Sequence, residues 1–394
     1  MRVVLFTGKG GVGKTTLAAG TAALAAERGL RALVLSTDAA HSLGDALGLE
    51  PEPGVPVQVS DGLFVEHVDT RRRLDSAWGG IQDYLLTVMD AAGVDPLEAE
   101  ELTVLPGAEE VLALMEVRDR VRSGHYDVVV VDCAPTAETL RLLALPDALT
   151  WYMDRIWPTE RRVIRALRPV LSKATGVPMP GDPVLDALET LHAELTDVRE
   201  VLTDEHASVR LVLTPESVVV AESRRALTLL SLYGYRVDAA LVNRLVPEGD
   251  DPWLRAWVAS QRVRLAEVEA DLDPVPVLRV PYRAGEPVGR ADLLALAAEA
   301  YGDVDPVAPP RLPPPLDVRR DGDRYLLRLA LPLVARGEVD LARRGDELLV
   351  SVGPHRRALA LPSALRRCHL RGASVEDGVL TVRFVPDPEA RRST

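Results

Sequence analysis

The amino-acid sequence predicts a doubly wound α/β fold on a parallel sheet, followed by a small antiparallel β-sandwich. Three observations carry this. Over roughly residues 1–300, short apolar β-branched runs alternate with longer stretches whose apolar residues recur every three and four positions. Prolines then fill six of the eleven positions from Pro306 to Leu316. Beyond them come short strand-like runs parted by the turn pairs Asp321-Gly322, Arg344-Gly345 and Asp377-Gly378.

In order, the runs of the first part are Arg2–Thr7, Arg31–Thr37, Leu63–Asp69, Asp127–Asp132, Arg210–Thr214, Asp238–Asn243 and Val275–Val280. Most are continuously apolar rather than alternating, as strands buried on both faces of a parallel sheet must be. Helical patterns such as Thr15–Arg28, Glu109–Arg122 and Ser217–Tyr233 separate them. The stretch of about 74–207 exceeds what simple crossovers need and reads as helical elaboration beside the sheet. The expected divisions are a first domain over 1–303, a stiff extended linker over 304–315, a sandwich over 316–386 and a tail over 387–394. Seven short strands are expected in the sandwich, the sixth of them confined to Ser374–Glu376.

Bulk properties exclude several classes of function. The 394 residues carry a net charge of −13, which repels nucleic acid and anionic membranes. No apolar run approaches the roughly 20 residues that span a bilayer. The N-terminal run reaches Gly8 and Lys9 too soon for a signal peptide, so the cytoplasm is the expected compartment. Cys133 and Cys368 are the only cysteines, too few for a disulfide framework or a thiolate metal centre. From Leu316 onward there are 15 arginines against 11 acids, a net +4 that leaves −17 for the rest. These opposite charges are expected to dock the sandwich on the first domain.

The strongest motif is Gly8-Lys9-Gly10-Gly11-Val12-Gly13-Lys14-Thr15, which fits G-x-x-x-x-G-K-[ST] between a strand and an amphipathic helix. Such a phosphate-binding loop, continuing through Thr16, places backbone N–H groups and a helix N-terminus around the phosphates of ATP. Lys14 is expected at the β/γ phosphates and the Thr15 hydroxyl on Mg²⁺. Only three lysines accompany the chain's arginines, and two of them, Lys9 and Lys14, lie in this loop. A site that keeps lysine in an arginine-rich chain calls for a compact ammonium. No partner for Lys9 is evident within its own chain.

The loop resembles the deviant Walker A sequence. Three further segments, Ser36–Leu43, Pro106–Glu110 and Asp132–Leu143, make residues 1–300 resemble the arsenite-pump ATPase family, which includes the tail-anchored-protein targeting ATPase. The resemblance implies an ATP hydrolase that works as a homodimer, with Lys9 reaching the partner's nucleotide as a catalytic positive charge. It implies that Asp38 orients the attacking water and that Asp132 helps hold the Mg²⁺ shell through water. It also implies that Asn243 recognises adenine and that the loop Val280–Pro287, with Pro281 and Tyr282, packs over the base. His41 is read as a structural hydrogen bonder.

Three cues make residues 316–386 resemble the α-crystallin domain of small heat-shock proteins: Leu326–Pro332, Gly345–Val350 and Ser374–Val382. The family has a metalloid-pump branch and a protein-targeting branch. Metalloid sensing uses several cysteines, and targeting members carry a zinc C-x-x-C at the dimer seam. This chain has neither. The expected function is therefore an ATPase whose nucleotide state controls a surface for hydrophobic protein segments. If there is such a surface, it is placed among Leu149, Trp151, Tyr152, Met153, Ile156 and Trp157, continuing through Val163–Leu171; the alternative is that this stripe packs as core, as most apolar stripes do. The alternatives are an ATPase energising anion or metalloid export, and a nucleotide-dependent scaffold.

Overall fold

A computed structural model of the chain describes residues 1–37, 42–69, 86, 89–90, 108–134 and 182–387. The first part runs β1 (Arg2–Thr7), α1 (Lys14–Glu27), β2 (Ala32–Ser36), α2 (Ser42–Leu47), β3 (Val57–Ser60), β4 (Leu63–His67), α3 (Ala108–Arg122) and β5 (Val128–Asp132). It continues with α4 (Asp182–Thr203), β6 (Ala207–Leu213), α5 (Ser217–Tyr233), β7 (Val237–Leu245), α6 (Pro252–Leu272), β8 (Val277–Pro281) and α7 (Arg290–Tyr301).

The eight strands form one sheet in the order β3-β4-β2-β5-β1-β6-β7-β8. Seven are mutually parallel, and only β3, at the edge, runs antiparallel to β4. Every residue of β1, β2, β5 and β6 is buried. Since successive side chains point to opposite faces, both faces of the central sheet are covered. Helix α1 packs with α7 and α2, α3 with α4, and α5 with α6. This is the expected doubly wound architecture. The expected strand over Leu63–Asp69 is here the second limb of a hairpin, with Val57–Ser60 preceding it. Four residues give too short an alternation to separate from a loop, and the Asp61-Gly62 turn was its only other signal.

Of the expected helical elaboration, α3 and α4 flank β5 among the described residues. Leu149–Leu171, Pro135–Leu143, Pro106 and Gly107 lie outside them, as do Asp38 and His41.

At the edge where the parallel strands start, a buried ionic cluster ties five elements together. Arg2 donates to Asp238 at 2.6 Å, and Arg210 donates to the same carboxylate at 3.2 Å. Arg210 also donates to the Tyr301 hydroxyl at 2.7 Å, which lies 2.9 Å from Thr21 on α1. Mutual pairing is what makes such buried charges tolerable.

The second part is a sandwich of β9 (Leu316–Asp321), β10 (Arg324–Ala330), β11 (Val339–Arg344), β12 (Glu347–Val352), β13 (His355–Ala360), α8 (Ser363–Arg366), β14 (Cys368–Glu376) and β15 (Val379–Pro386). A four-stranded sheet, β14-β15-β10-β9, faces a three-stranded sheet, β11-β12-β13. Seven strands match the expectation, although β14 begins six residues before the expected Ser374.

The way the sandwich docks differs from the electrostatic expectation. Leu229 and Leu232 of α5 belong to the same buried cluster as Leu327, Leu329, Leu331 and Leu348 of the sandwich. Thr228 donates to the Pro332 carbonyl at 2.7 Å. Arg357, only 3% exposed, donates to the Leu232 carbonyl at 2.5 Å and so satisfies an acceptor that the end of the helix leaves open. The junction is an apolar core capped by hydrogen bonds, and buried contacts of this kind are screened little by salt. The segment before β9 is also pinned, because Val307 packs on the main core and Arg2 donates to the Ala308 carbonyl at 3.2 Å.

Leu232→Ala should therefore lower unfolding stability by about 2–5 kcal/mol, read by denaturant titration, and speed limited proteolysis between residues 302 and 315. Raising salt from about 0.1 to about 1 M should leave the proteolysis rate of the unaltered protein unchanged, whereas a rate that climbs with salt would restore the electrostatic account.

Candidate active site

The phosphate loop joins β1 to α1, and its conformation depends on glycine at two points. A Cβ on Gly8 would lie 2.1 Å from the Val212 carbonyl oxygen of β6. Gly13 has φ +92°, and a Cβ there would meet the Asn243 side chain at 2.4 Å. Backbone at both positions is thus pressed against neighbouring strands. The loop then opens into α1, whose N-terminus is the anion-binding end of a helix.

Around the first turn of α1 lies a set of oxygen donors. Thr15 donates from its hydroxyl to Asp132 Oδ2 at 2.7 Å, and its Oγ1 lies 3.1 Å from the Ser42 hydroxyl at the start of α2. Ser36, the last residue of β2, donates to Asp132 at 3.5 Å. The backbone amide of Thr37 donates to the Asp132 carbonyl at 3.0 Å, and that of Cys133 to the Phe6 carbonyl at 3.1 Å. The C-terminal ends of β1, β2 and β5 are therefore stitched together beneath the loop. Open parallel sheets bind their ligands at this end.

The two loop lysines differ in setting. Lys14 is 7% exposed, with its ammonium 3.4 Å from the Lys9 carbonyl. The Lys9 side chain is 41% exposed and lies 3.3 Å from Glu222 of α5. Lys9 therefore has a partner in its own chain, against the sequence expectation. The partner sits 213 positions away, a separation no local pattern reveals. Ser36, Ser42 and Glu222 are residues of this site to which sequence reasoning assigned no individual role.

Asn243, at 7% exposure, donates from Nδ2 to the Val12 carbonyl at 2.8 Å and accepts from the Arg244 amide at 2.8 Å. In this state it braces the phosphate loop, and one amide hydrogen remains for another acceptor. The backbone amide of Tyr282 donates to the Leu245 carbonyl at 2.8 Å, which puts Pro281 and the 55%-exposed Tyr282 beside the end of β7. The ends of β5, β7 and β8 thus carry Asp132, Asn243 and Tyr282 to the sheet edge at which α1 begins with Lys14 and Thr15.

A family model described as anion-transporting ATPase matches residues 1–302. The chain belongs to that family. A second model, an HSP20-like domain found in ArsA, matches residues 322–384. A protein of Streptomyces coelicolor is 41% identical over 99% of this chain and 98% of its own length. A Chlorobaculum tepidum protein named "Putative arsenical pump-driving ATPase" is 37% identical over 98% of this chain and 96% of its own. An "ATPase ASNA1 homolog" of Trypanosoma cruzi is 32% identical over 71% of this chain and 85% of its own. This family member is an ATP hydrolase. No helix among the described residues is long and apolar enough to cross a membrane.

Both cysteines of the chain are buried. Burial pushes the Cys133 thiol far above its ordinary range; the neighbouring Asp132 charge adds to this and Lys14 opposes it. Burial likewise raises Cys368. A raised thiol stays protonated at neutral pH and is a poor nucleophile and a poor ligand.

Two outcomes follow for the site. Gly8→Ala and Gly13→Ala should each lower thermal stability and abolish ATP binding measured by calorimetry. Gly10→Ala, whose Cβ meets nothing within 4 Å, should stay within about 0.5 kcal/mol of the unaltered stability. Iodoacetamide at about pH 8 should label neither cysteine of the folded chain and both after unfolding, as counted by mass spectrometry. Rapid labelling of folded Cys133 would contradict its burial.

Proposed function

We propose that this ATPase works as a homodimer closing over MgATP, each subunit lending Lys9 to the other's nucleotide, and that the nucleotide state governs a surface for hydrophobic protein segments. The observation that carries the reading is the unequal placement of the two lysines. Lys14 is buried in its own loop, whereas Lys9 stands half exposed at the rim of the same site. Exposed pairs such as Lys9–Glu222 contribute only about 0–1 kcal/mol, so a nucleotide phosphate on a second chain can displace Glu222 at little cost. Catalysis would then follow from positioning and from positive charge placed against the transferring phosphoryl group.

The donors beside the loop suit Mg²⁺. Thr15 and Asp132, with Ser36 and Ser42 near them, present oxygen atoms only, and few of them. Mg²⁺ is typically held by one or two carboxylate or hydroxyl oxygens, with phosphate oxygens and water completing the octahedron. Thr15 would ligate the ion and Asp132 would hold it through water, and the bound ion would supply charge neutralisation between the β and γ phosphates. Asp38 takes the part of the residue that orients the attacking water, and Asn243 that of an adenine contact. Burial of both cysteines favours the client reading over metalloid export, since a thiolate-bound metalloid has no accessible sulfur on this chain.

Lys14→Ala should lose ATP binding. Asp38→Asn should bind ATP and turn it over about 10²-fold more slowly. Lys9→Ala should bind ATP, hydrolyse it poorly and dimerise weakly. Mixing Lys9→Ala chains with Lys14→Ala chains should restore part of the activity, because one composite site becomes complete. An unaltered chain that sediments as an active monomer would remove the dimer reading. Loss of client protection in Asp38→Asn, assayed as aggregation of a hydrophobic protein, would tie clients to turnover. Stimulation of the unaltered ATPase by arsenite or antimonite would favour export instead.

A further inference from the structure

The four-stranded sheet of the sandwich, β14-β15-β10-β9, turns one face to the apolar core and the other to solvent. Along β10 the side chains of Leu327 and Leu329 are buried in that core, so Arg324, Leu326 and Arg328 point outward. The strand register sets Leu326 opposite Arg319 of β9 on one side and opposite Arg383 of β15 on the other. Leu326 therefore has an arginine at each of its four neighbouring positions on this face, two along its own strand and one on each flanking strand. All four arginines are exposed, and Leu326 is half-buried among them.

Like charges gathered on one face of a sheet repel, so such a cluster calls for something to offset it. The chain itself supplies little. Arg319 donates to Asp317, and Arg383 donates to the Ser374 hydroxyl at 3.2 Å. Among the described residues, Arg324 and Arg328 have no hydrogen-bonding or ionic partner. Exposed arginines of the first domain such as Arg279, Arg283 and Arg290 instead meet Glu269, Glu299 and Glu27. Nor does docking on α5 use the cluster, because α5 meets the inward leucines and Arg357. The positive charge of the sandwich thus stands on a face that the rest of the fold leaves open.

We propose that this face binds an acidic segment of another protein, its carboxylates meeting the four arginines and an apolar side chain resting on Leu326. Such a partner differs from the hydrophobic segments proposed above, and its binding requires no second copy of the chain. Three features select it. Guanidinium groups pair with carboxylates through two parallel hydrogen bonds, and two of the four here are unspent. The centre of the cluster is a leucine, which a polypeptide can cover with an apolar side chain and a phosphate backbone cannot. The acids of this face, Asp317, Asp321 and Glu376, all stand on its two edge strands, β9 and β14. A long polyanion such as nucleic acid would have to cross them, whereas a short segment covers only the centre.

The spacing suggests the form of the segment. Arg319 and Arg383 stand two strand spacings apart, roughly 10 Å. Seven residues of α-helix rise about 10.5 Å, so glutamates at i and i+7 match the two arginines while leucine at i+3 or i+4 meets Leu326.

The test uses the full-length chain and a labelled helical peptide with that Glu and Leu pattern, read by fluorescence anisotropy. The peptide should bind, and raising salt from about 0.05 to about 0.5 M should weaken it. A peptide with Gln in place of every Glu should bind about tenfold or more weakly. The Arg328→Gln, Arg383→Gln double variant should lose about the same factor, with unchanged melting and ATPase activity, and Arg328→Lys, Arg383→Lys should keep part of the affinity. Failure of the unaltered chain to bind the Glu peptide would overturn the proposal, as would equal binding of the Gln peptide or by the double Gln variant. Tighter binding of single-stranded DNA or of phosphatidylserine vesicles, abolished in the double Gln variant, would overturn it in favour of a polyanion. Salt-sensitive self-association that the double Gln variant abolishes, without peptide binding, would overturn it in favour of a second copy.

Discussion

The site depends on a close approach of backbone to backbone, that of Gly8 to the Val212 carbonyl, where a Cβ would have to sit 2.1 Å from the oxygen. No side chain can be accommodated there. The phosphate loop is therefore laid directly on β6, and the other strands position the remaining groups around it. Val12 is tied to Asn243 on β7 from one side, and Thr15 is tied to Asp132 on β5 from the other. Parallel strands in register end together, so the loop shares one edge of the sheet with the ends of β2, β5, β1, β6 and β7.

The helix that follows β6 inherits that placement. α5 starts beside the loop, where Glu222 meets Lys9, and ends in the core of the sandwich through Leu229 and Leu232. A single rigid element of 17 residues thus touches both the loop at Lys9 and the second domain. Any shift of α5 on release of Lys9 from Glu222 would be felt at Thr228–Pro332 and at the Arg357 cap. That link is mechanical and contiguous, and it requires no motion of the sheet.

Legibility in the sequence followed the range of the interactions. Central strands such as Val128–Asp132 carry an unbroken apolar run, here four valines, because both their faces are buried, and that signal is local. The phosphate loop is local too, since its glycines, Lys14 and Thr15 are consecutive. The Lys9–Glu222 pair and the Arg2–Asp238–Arg210–Tyr301 cluster join residues far apart in the chain, and periodicity carries no trace of them. Docking of the sandwich was misread for a related reason. Leu229 and Leu232 look like the continuation of an amphipathic stripe that faces the sheet, whereas net charge was the only long-range quantity available. That charge split is real, but the contact formed by burying leucines.

The shared core has a consequence for how the chain is made. Synthesis proceeds from the N-terminus, so α5 can form and pack on β6 while the sandwich is still unmade. Leu232 then waits about 150 residues, roughly 8–30 s at ordinary elongation rates, until Phe384 completes the apolar cluster that covers it. During that interval the nascent ATPase presents leucines at the end of a finished helix, an adhesive spot on an otherwise folded body. The sandwich, which arrives last, then acts for its own chain as the cover that a chaperone would otherwise have to provide.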